Sequence, residues 1–463
     1  MNPMSHNLLT FVNHACFHIA NEHTVLLADP WVEGAVFNNG WSLLDSGTSN
    51  AALIAELAAL KRNTFIWFSH EHPDHFSVPF IKRLKRGFPG KVTMLFQQTK
   101  DKRVVNFLRG NGFDVIECQP GIPVALDGEM RITVFPHADG DAYCLISSGG
   151  CHVLNINDCA LTSAAQCELV KASIALLCER VDVLMTQFGY ANWVGNPFQA
   201  ELRCAAAAEK LHRIKLQIAA FAPRITVPFA SFVSFSHIDN CYMNDHQNTP
   251  QRLAQWARLS RATDSLRFMQ PRDTIALGVD TAESLAWASD AAVEHWERLL
   301  SVPCALLPSE PPATPAQVRA AAEKYRKAAN ANLLGLPCLL ELVGLIQPLT
   351  IRIPDIALTI RVSYLRGCTQ LHDDQLADIS MTSPSEVFLF ANEYGFNTTH
   401  VNARFRVGDS GALQRFSRFF MPQNLGRQGY GVQHPLATVR YLLGSLMARL
   451  GRRLAAMQRR LAK

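Results

Sequence analysis

No two of the twelve cysteines in this 463-residue chain stand at C-x-x-C spacing, which leaves them as buried or free thiols of a reducing cytoplasm. No uninterrupted apolar run approaches the roughly 20 residues that a membrane span needs. Met1–Asn13 has no charged region leading into a long apolar stretch, so no signal peptide is expected. Excess charge is slight as well. A net +5, much of it at the end of the chain, gives no global basic signature and argues against a nucleic-acid partner. Internal repeats and low-complexity segments are missing. With about half its residues apolar, the chain is expected to be a soluble, cytoplasmic protein of two domains.

What is present is an alternation of short β-type runs and helical patterns over the first 280 residues. "HTVLLAD", "TFIWFSH", "KVTMLF", "RITVFPH", "YCLISS", "HVLNIN" and "DVLMTQF" have strand length and strand composition. Helical periodicity covers Ala51–Lys61, Val78–Arg86, Lys102–Arg109, Ser163–Glu179 and Ala200–Ala220. "SSGG" at Ser147–Gly150 marks a hairpin. Hairpins mixed with helical crossovers imply α/β sheets covered by helices. Five prolines within Val302–Pro315 mark a linker, so residues 1–301 form one domain and 316–463 a smaller α+β domain. In Thr438–Lys463, Leu442, Leu446, Leu450, Leu454, Met457 and Leu461 recur at helical spacing between arginines. Such a basic amphipathic helix either packs on its own domain or contacts an anionic membrane surface.

The densest chemistry lies at "FSHEHPDHF", where His70, His72, Asp74 and His75 fall within six residues. The cluster follows a strand and precedes a helix start, the kind of loop on which α/β scaffolds present their chemistry. Imidazole and carboxylate suit Zn, Fe, Mn or Co. His70 and His72, two apart, can reach one ion from a single tight loop. Asp74 and His75 then serve a second ion about 3.5–4 Å away.

H-x-H-x-D-H is the signature of the metallo-β-lactamase superfamily, and the chain resembles it in order. The resemblance implies an αββα sandwich and further ligands from later strand ends: His137 in "FPHADGD", Asp158 in "LNINDCA" and His237 in "SFSHIDN". Asp158 would bridge two ions. His14, in "VNHACF", either lines the same cleft or is a hydrogen-bonded turn histidine. "ADPWVEGAVFNNGWSLL", "HEHPDHFSVPFIKRL", "HVLNINDCA", "PFASFVSFSHIDNCYMND" and "RFMQPRDTIALG" look similar to the catalytic domain of CMP-N-acetylneuraminate hydroxylase. That family hydroxylates the N-acetyl methyl of a nucleotide-linked sialic acid with iron. Its Rieske domain needs two Cys and two His. Here Cys16 and His18 have C-x-H spacing but no C-x-x-H follows, so a separate electron donor is expected.

Within the resemblance, "FGYANWVGNP" is a substrate-facing loop offering Tyr190 and Asn192, and Arg272 is a fork for an anionic group. Two reactions on a small-molecule substrate follow. One is oxygenation on one or two Fe ions, the preferred reading. The other is hydrolysis of a phosphoester, lactone or amide on Zn or Mn, with Asp74 or Asp158 orienting or deprotonating the water.

Overall fold

The computed structural model describes residues 7–260, 264–303, 305–371, 376–409, 411–427, 429–431, 434–441 and 444. The chain divides into two units, Met1–Ser309 with Val401–Ala403, and Glu310–His400 with Arg404–Lys463.

The first unit holds two large sheets. One runs Thr274–Ala276, Leu8–Asn13, Cys16–Ala20, Thr24–Ala28, Asn63–Phe68, Val92–Gln97 and Asp114–Cys118 in spatial order. Its first members pair antiparallel. From Thr24–Ala28 onward the strands are parallel, because helices Asn50–Leu60, Val78–Gly87 and Arg103–Gly110 return the chain. The other sheet runs Ile225–Phe229, Val183–Gln187, Cys151–Asn157, Ala142–Ser148, Met130–Pro136 and Val124–Ala125.

Side-chain alternation assigns the layers. Leu26 and Trp67 from the first sheet share a core with Val134, Cys144, Val153, Met185 and Val227 from the second. Their neighbours Val25, Leu27, Ile66 and Phe68 point the other way, onto Leu53, Leu57, Phe80 and Leu84 of the helices. Leu154 and Leu184 turn outward in the same manner onto Cys167, Val170 and Phe221. The result is the expected αββα sandwich. Strands covered on both faces are near-continuous apolar runs, which is why they were easy to read.

The "SSGG" hairpin forms with Ser148 opposite Cys151, and both glycines take positive φ, as a tight two-residue turn requires. A Cβ on Gly149 would lie 1.9 Å from Asn7 Nδ2. Asn7 is seated there by Ser148 Oγ, which donates to its Oδ1 at 2.9 Å. The proline-rich stretch is not a free linker along its whole length. Leu307 donates to Ser236 O and accepts from Ile238 N, within the first unit.

The second unit has a five-stranded sheet, ordered Gly367–Leu371, Leu358–Ser363, Leu349–Ile353, Ile379–Ser380 and Arg406–Val407. Helix Pro315–Asn332 opens with a capping box between Thr314 and Gln317. Of the proposed basic helix, residues 442, 443 and 445–463 lie outside the described residues.

Leu26 and Leu27 are both fully buried on opposite faces of one strand. Leu26→Ala and Leu27→Ala should each lower stability by about 2–5 kcal/mol in urea denaturation followed by fluorescence. A cost below about 0.5 kcal/mol for either would mean one face of that sheet is uncovered.

Candidate metal centre

Four strand ends converge at one edge of the sandwich. Asp29 follows Thr24–Ala28, Ser69 and His70 follow Asn63–Phe68, Asp158 follows Cys151–Asn157, and Gln187 ends Val183–Gln187. His14 joins them from the turn between Leu8–Asn13 and Cys16–Ala20. The motif loop is closed by the His72 carbonyl, which accepts from the His75 and Phe76 N–H groups at 3.0 and 2.7 Å. Ser77 then caps helix Val78–Gly87, with Pro79 in its first turn.

Asp29 organises the edge. Its buried carboxylate accepts from Ser69 N and Ser69 Oγ, both at 2.8 Å, and from Asn157 Nδ2 at 2.7 Å. The same Oδ2 lies 3.0 Å from His75 Nδ1. A carboxylate only accepts, so His75 carries its proton on Nδ1 and turns Nε2 inward as a lone pair. Ser69 Oγ spends its hydrogen on Asp29 and accepts from His70 Nδ1 at 3.0 Å, which leaves His70 Nε2 free in the same sense. Two imidazoles are thereby set in the tautomer that a metal ligand needs.

Their inward atoms meet an excess of acceptors. His75 Nε2 lies 3.3 Å from Asp74 Oδ2 and 3.5 Å from Asp158 Oδ2, and His14 Nε2 lies 3.5 Å from Asp74 Oδ2. His70 Nε2 faces His72 Nδ1 at 2.8 Å. Asp74 Oδ1, His75 Nε2 and both nitrogens of His14 are buried with no hydrogen-bond partner. Three overlapping triads can each hold a cation: His70, His72 and Asp74; His70, His75 and Asp158; and His14, Asp74 and His75.

The electrostatics describe the same need for positive charge. Burial alone would push the His75 imidazole down, yet Asp74, Asp158 and Asp29 hold it well above the usual histidine range. Burial opposes ionisation of Asp158, but the His75 charge brings its carboxyl down to about 2. Asp74 is likewise held far below the carboxylate range against its burial, chiefly by His75 and His14. Burial lowers His70 and His72, and each is lowered further by a neighbouring imidazole. Two carboxylates crowding the inward nitrogen of His75 mark the place where a metal cation would balance them. The donors fit divalent metal.

Five of the seven sequence-derived ligands, His70, His72, Asp74, His75 and Asp158, come together here, with His14 in addition. His137 does not join these groups among the described residues. It is half-buried ahead of the short turn Ala138–Gly140, with its ring 6.5 Å from Tyr143. Asp141, from the same loop, comes within 3.8 Å of His70 Nε2 instead. His237 stands apart from these groups. Its Nε2 donates to the Pro308 carbonyl at 3.1 Å and its Nδ1 accepts from Asp239 N at 3.0 Å, so backbone groups of two separate segments engage both ring nitrogens.

The expected substrate contacts fare unevenly. Tyr190 is buried and its hydroxyl donates to Met243 O; burial pushes its phenol up, which makes it core rather than lining. Asn192 is exposed on its loop. Arg272 is exposed with φ of +78°, and its charge acts on Glu56, whose carboxyl is lowered first by His18. Sequence reasoning missed Asp29, Asn157 and Gln187. The signal available for Asp29 was its place in "ADPW", an acidic residue directly after an apolar strand.

No family model matches the chain. Over 279 residues it is 27% identical to cytidine monophosphate-N-acetylneuraminic acid hydroxylase of Mus musculus, covering 57% of this chain and 45% of that protein. The Danio rerio enzyme of the same name is 24% identical over 276 residues, 54% of this chain and 43% of its own. The match therefore spans less than half the length of each of these relatives. Among solved structures, CmlA, a diiron β-hydroxylase from Streptomyces venezuelae, aligns with 59% of this chain and 54% of its own at 17% identity and a TM-score of 0.39. A possible metal-dependent hydrolase from Veillonella parvula aligns with 59% and 100% at 13% identity and a TM-score of 0.44. In sequence the chain resembles the CMP-N-acetylneuraminic acid hydroxylases, and its four layers are those of the metallo-β-lactamase fold.

Proposed function

We propose that this protein is a metal-dependent oxygenase that hydroxylates a small polar molecule. His70, His72, Asp74, His75 and Asp158, with His14, would hold one or two divalent ions, iron by preference. The observation that carries the reading is the convergence of unpartnered imidazole and carboxylate atoms whose tautomers are already set by Asp29 and Ser69. Sequence likeness to enzymes named as hydroxylases favours oxygenation over hydrolysis. When bound, iron supplies the reduction of dioxygen that hydroxylation of a C–H bond requires, with electrons from a separate donor protein.

The chain's own residues do the rest. Asp29 keeps the Nδ1 proton on His75, and Ser69 keeps that of His70, so neither ring turns over. Asp74 and Asp158 contribute negative charge that favours cation uptake over a neutral site. Trp31 stands edge-on to His14 at 5.3 Å and Phe37 edge-on to His72 at 5.8 Å. Both are buried, and these rings restrict water on that side of the cluster.

The same donors would serve Zn or Mn in a hydrolase. Protein purified anaerobically should carry iron near stoichiometry and consume oxygen when given a reductant. Stoichiometric zinc together with no oxygen uptake would overturn the oxygenase reading.

His72→Ala and Asp158→Ala should each abolish metal retention while leaving the far-UV dichroism intact. Full metal content in both variants would show that the ions, if any, sit elsewhere.

A further inference from the structure

Asp158 is held from its far side by a chain of two residues that the oxygenase reading does not use. Strands Cys151–Asn157 and Val183–Gln187 run parallel, with Asn157 beside Thr186, so Gln187 ends its strand next to Asp158. Gln187 Nε2 donates to Asp158 Oδ1 at 3.2 Å. Behind it, Lys210 of helix Ala200–Phe221 donates from Nζ to Gln187 Oε1.

The lysine decides which way the amide faces. A glutamine amide has an accepting end and a donating end of nearly the same shape, and either could turn toward a neighbour. An ammonium group only donates, so Lys210 claims the oxygen and leaves the NH₂ for Asp158. With Oδ1 engaged, the carboxylate presents Oδ2 to the cluster, 3.5 Å from His75 Nε2. Lys210 is half-buried, and burial together with the charge of Arg213 brings its pKa down to about 8.

We infer that Lys210 and Gln187 are positioning residues for Asp158, fixing the orientation in which its carboxylate meets a metal ion. The inference rests on the metal-site reading above. It is separable from it, because the pair acts on Asp158 and not on any ion.

The test uses cobalt(II) alone as the probe, titrated into metal-free full-length protein by calorimetry and by visible absorption. Lys210→Met and Gln187→Leu should each weaken cobalt affinity by about 10–100-fold and alter the visible band. Lys210→Arg, which keeps a donor, should stay within about 3-fold of the parent. The double variant Lys210→Met/Gln187→Leu should bind no more weakly than the weaker single, since both changes cut one chain. Affinities of both singles within about 2-fold of the parent, with an unchanged band, would overturn the inference while leaving the metal site standing. Losses that multiply in the double variant would overturn it too. Failure of the parent protein itself to take up cobalt would sink both readings. The two substitutions cut the chain at different links, so one of them folding is enough to decide.

Discussion

The Asp29 carboxylate is the interaction on which the site depends. One buried group accepts from Ser69 twice, from Asn157 and from His75, donors that come from two different segments. Asn157 belongs to the second sheet and Asp29 to the first, so the carboxylate also ties the two sheets at their functional edge. An unpaired buried carboxylate is costly, whereas one with four donors is satisfied and strongly directional. His75 faces the cluster because Asp29 has already claimed its other side, and Ser69, held by Asp29, sets His70 in turn.

The backbone at this edge is shaped for the same purpose. His14, Asp29 and Asn157 all have φ between +41° and +51°, in the left-handed region that side chains other than glycine rarely adopt. Asparagine and aspartate tolerate it better than most residues, and histidine is also enriched there. Each of the three stands at or just beyond a strand end, where such a turn stops the extended run and aims a side chain along the edge of the sheet. Strain gathered at one spot and supported by the surrounding hydrogen bonds is typical of sites that must be rigid before a ligand arrives.

The sandwich was legible because its central strands are buried on both faces. "TFIWFSH", "HVLNIN" and "DVLMTQF" read as apolar runs of strand length, and they form Asn63–Phe68, Cys151–Asn157 and Val183–Gln187. The opening hairpin Leu8–Asn13 and Cys16–Ala20 was passed over, since buried Asn13, His14 and His18 break up its apolar pattern. The compact cluster at 70–75 was readable because its ligand-type side chains share one loop. Its distant partners were not, for a histidine placed after a strand looks the same whether its ring faces a metal or a carbonyl. His237 shows the second case, with one nitrogen on the distant Pro308 carbonyl and the other on the Asp239 N–H. Asp29 could have been suspected on chemistry alone, as an acidic residue directly after a wholly apolar strand.

At the opposite end of the strand Leu8–Asn13, Asn7 is received by Ser148 and fills the space above Gly149 of the second sheet. The two sheets are therefore pinned twice, by a carboxylate where the imidazoles and acids gather and by an amide a full strand length away. Sliding one sheet over the other would break both fastenings at once. Freedom to rearrange is left to the loops beyond the strand ends, and the sandwich beneath them serves as a fixed anvil.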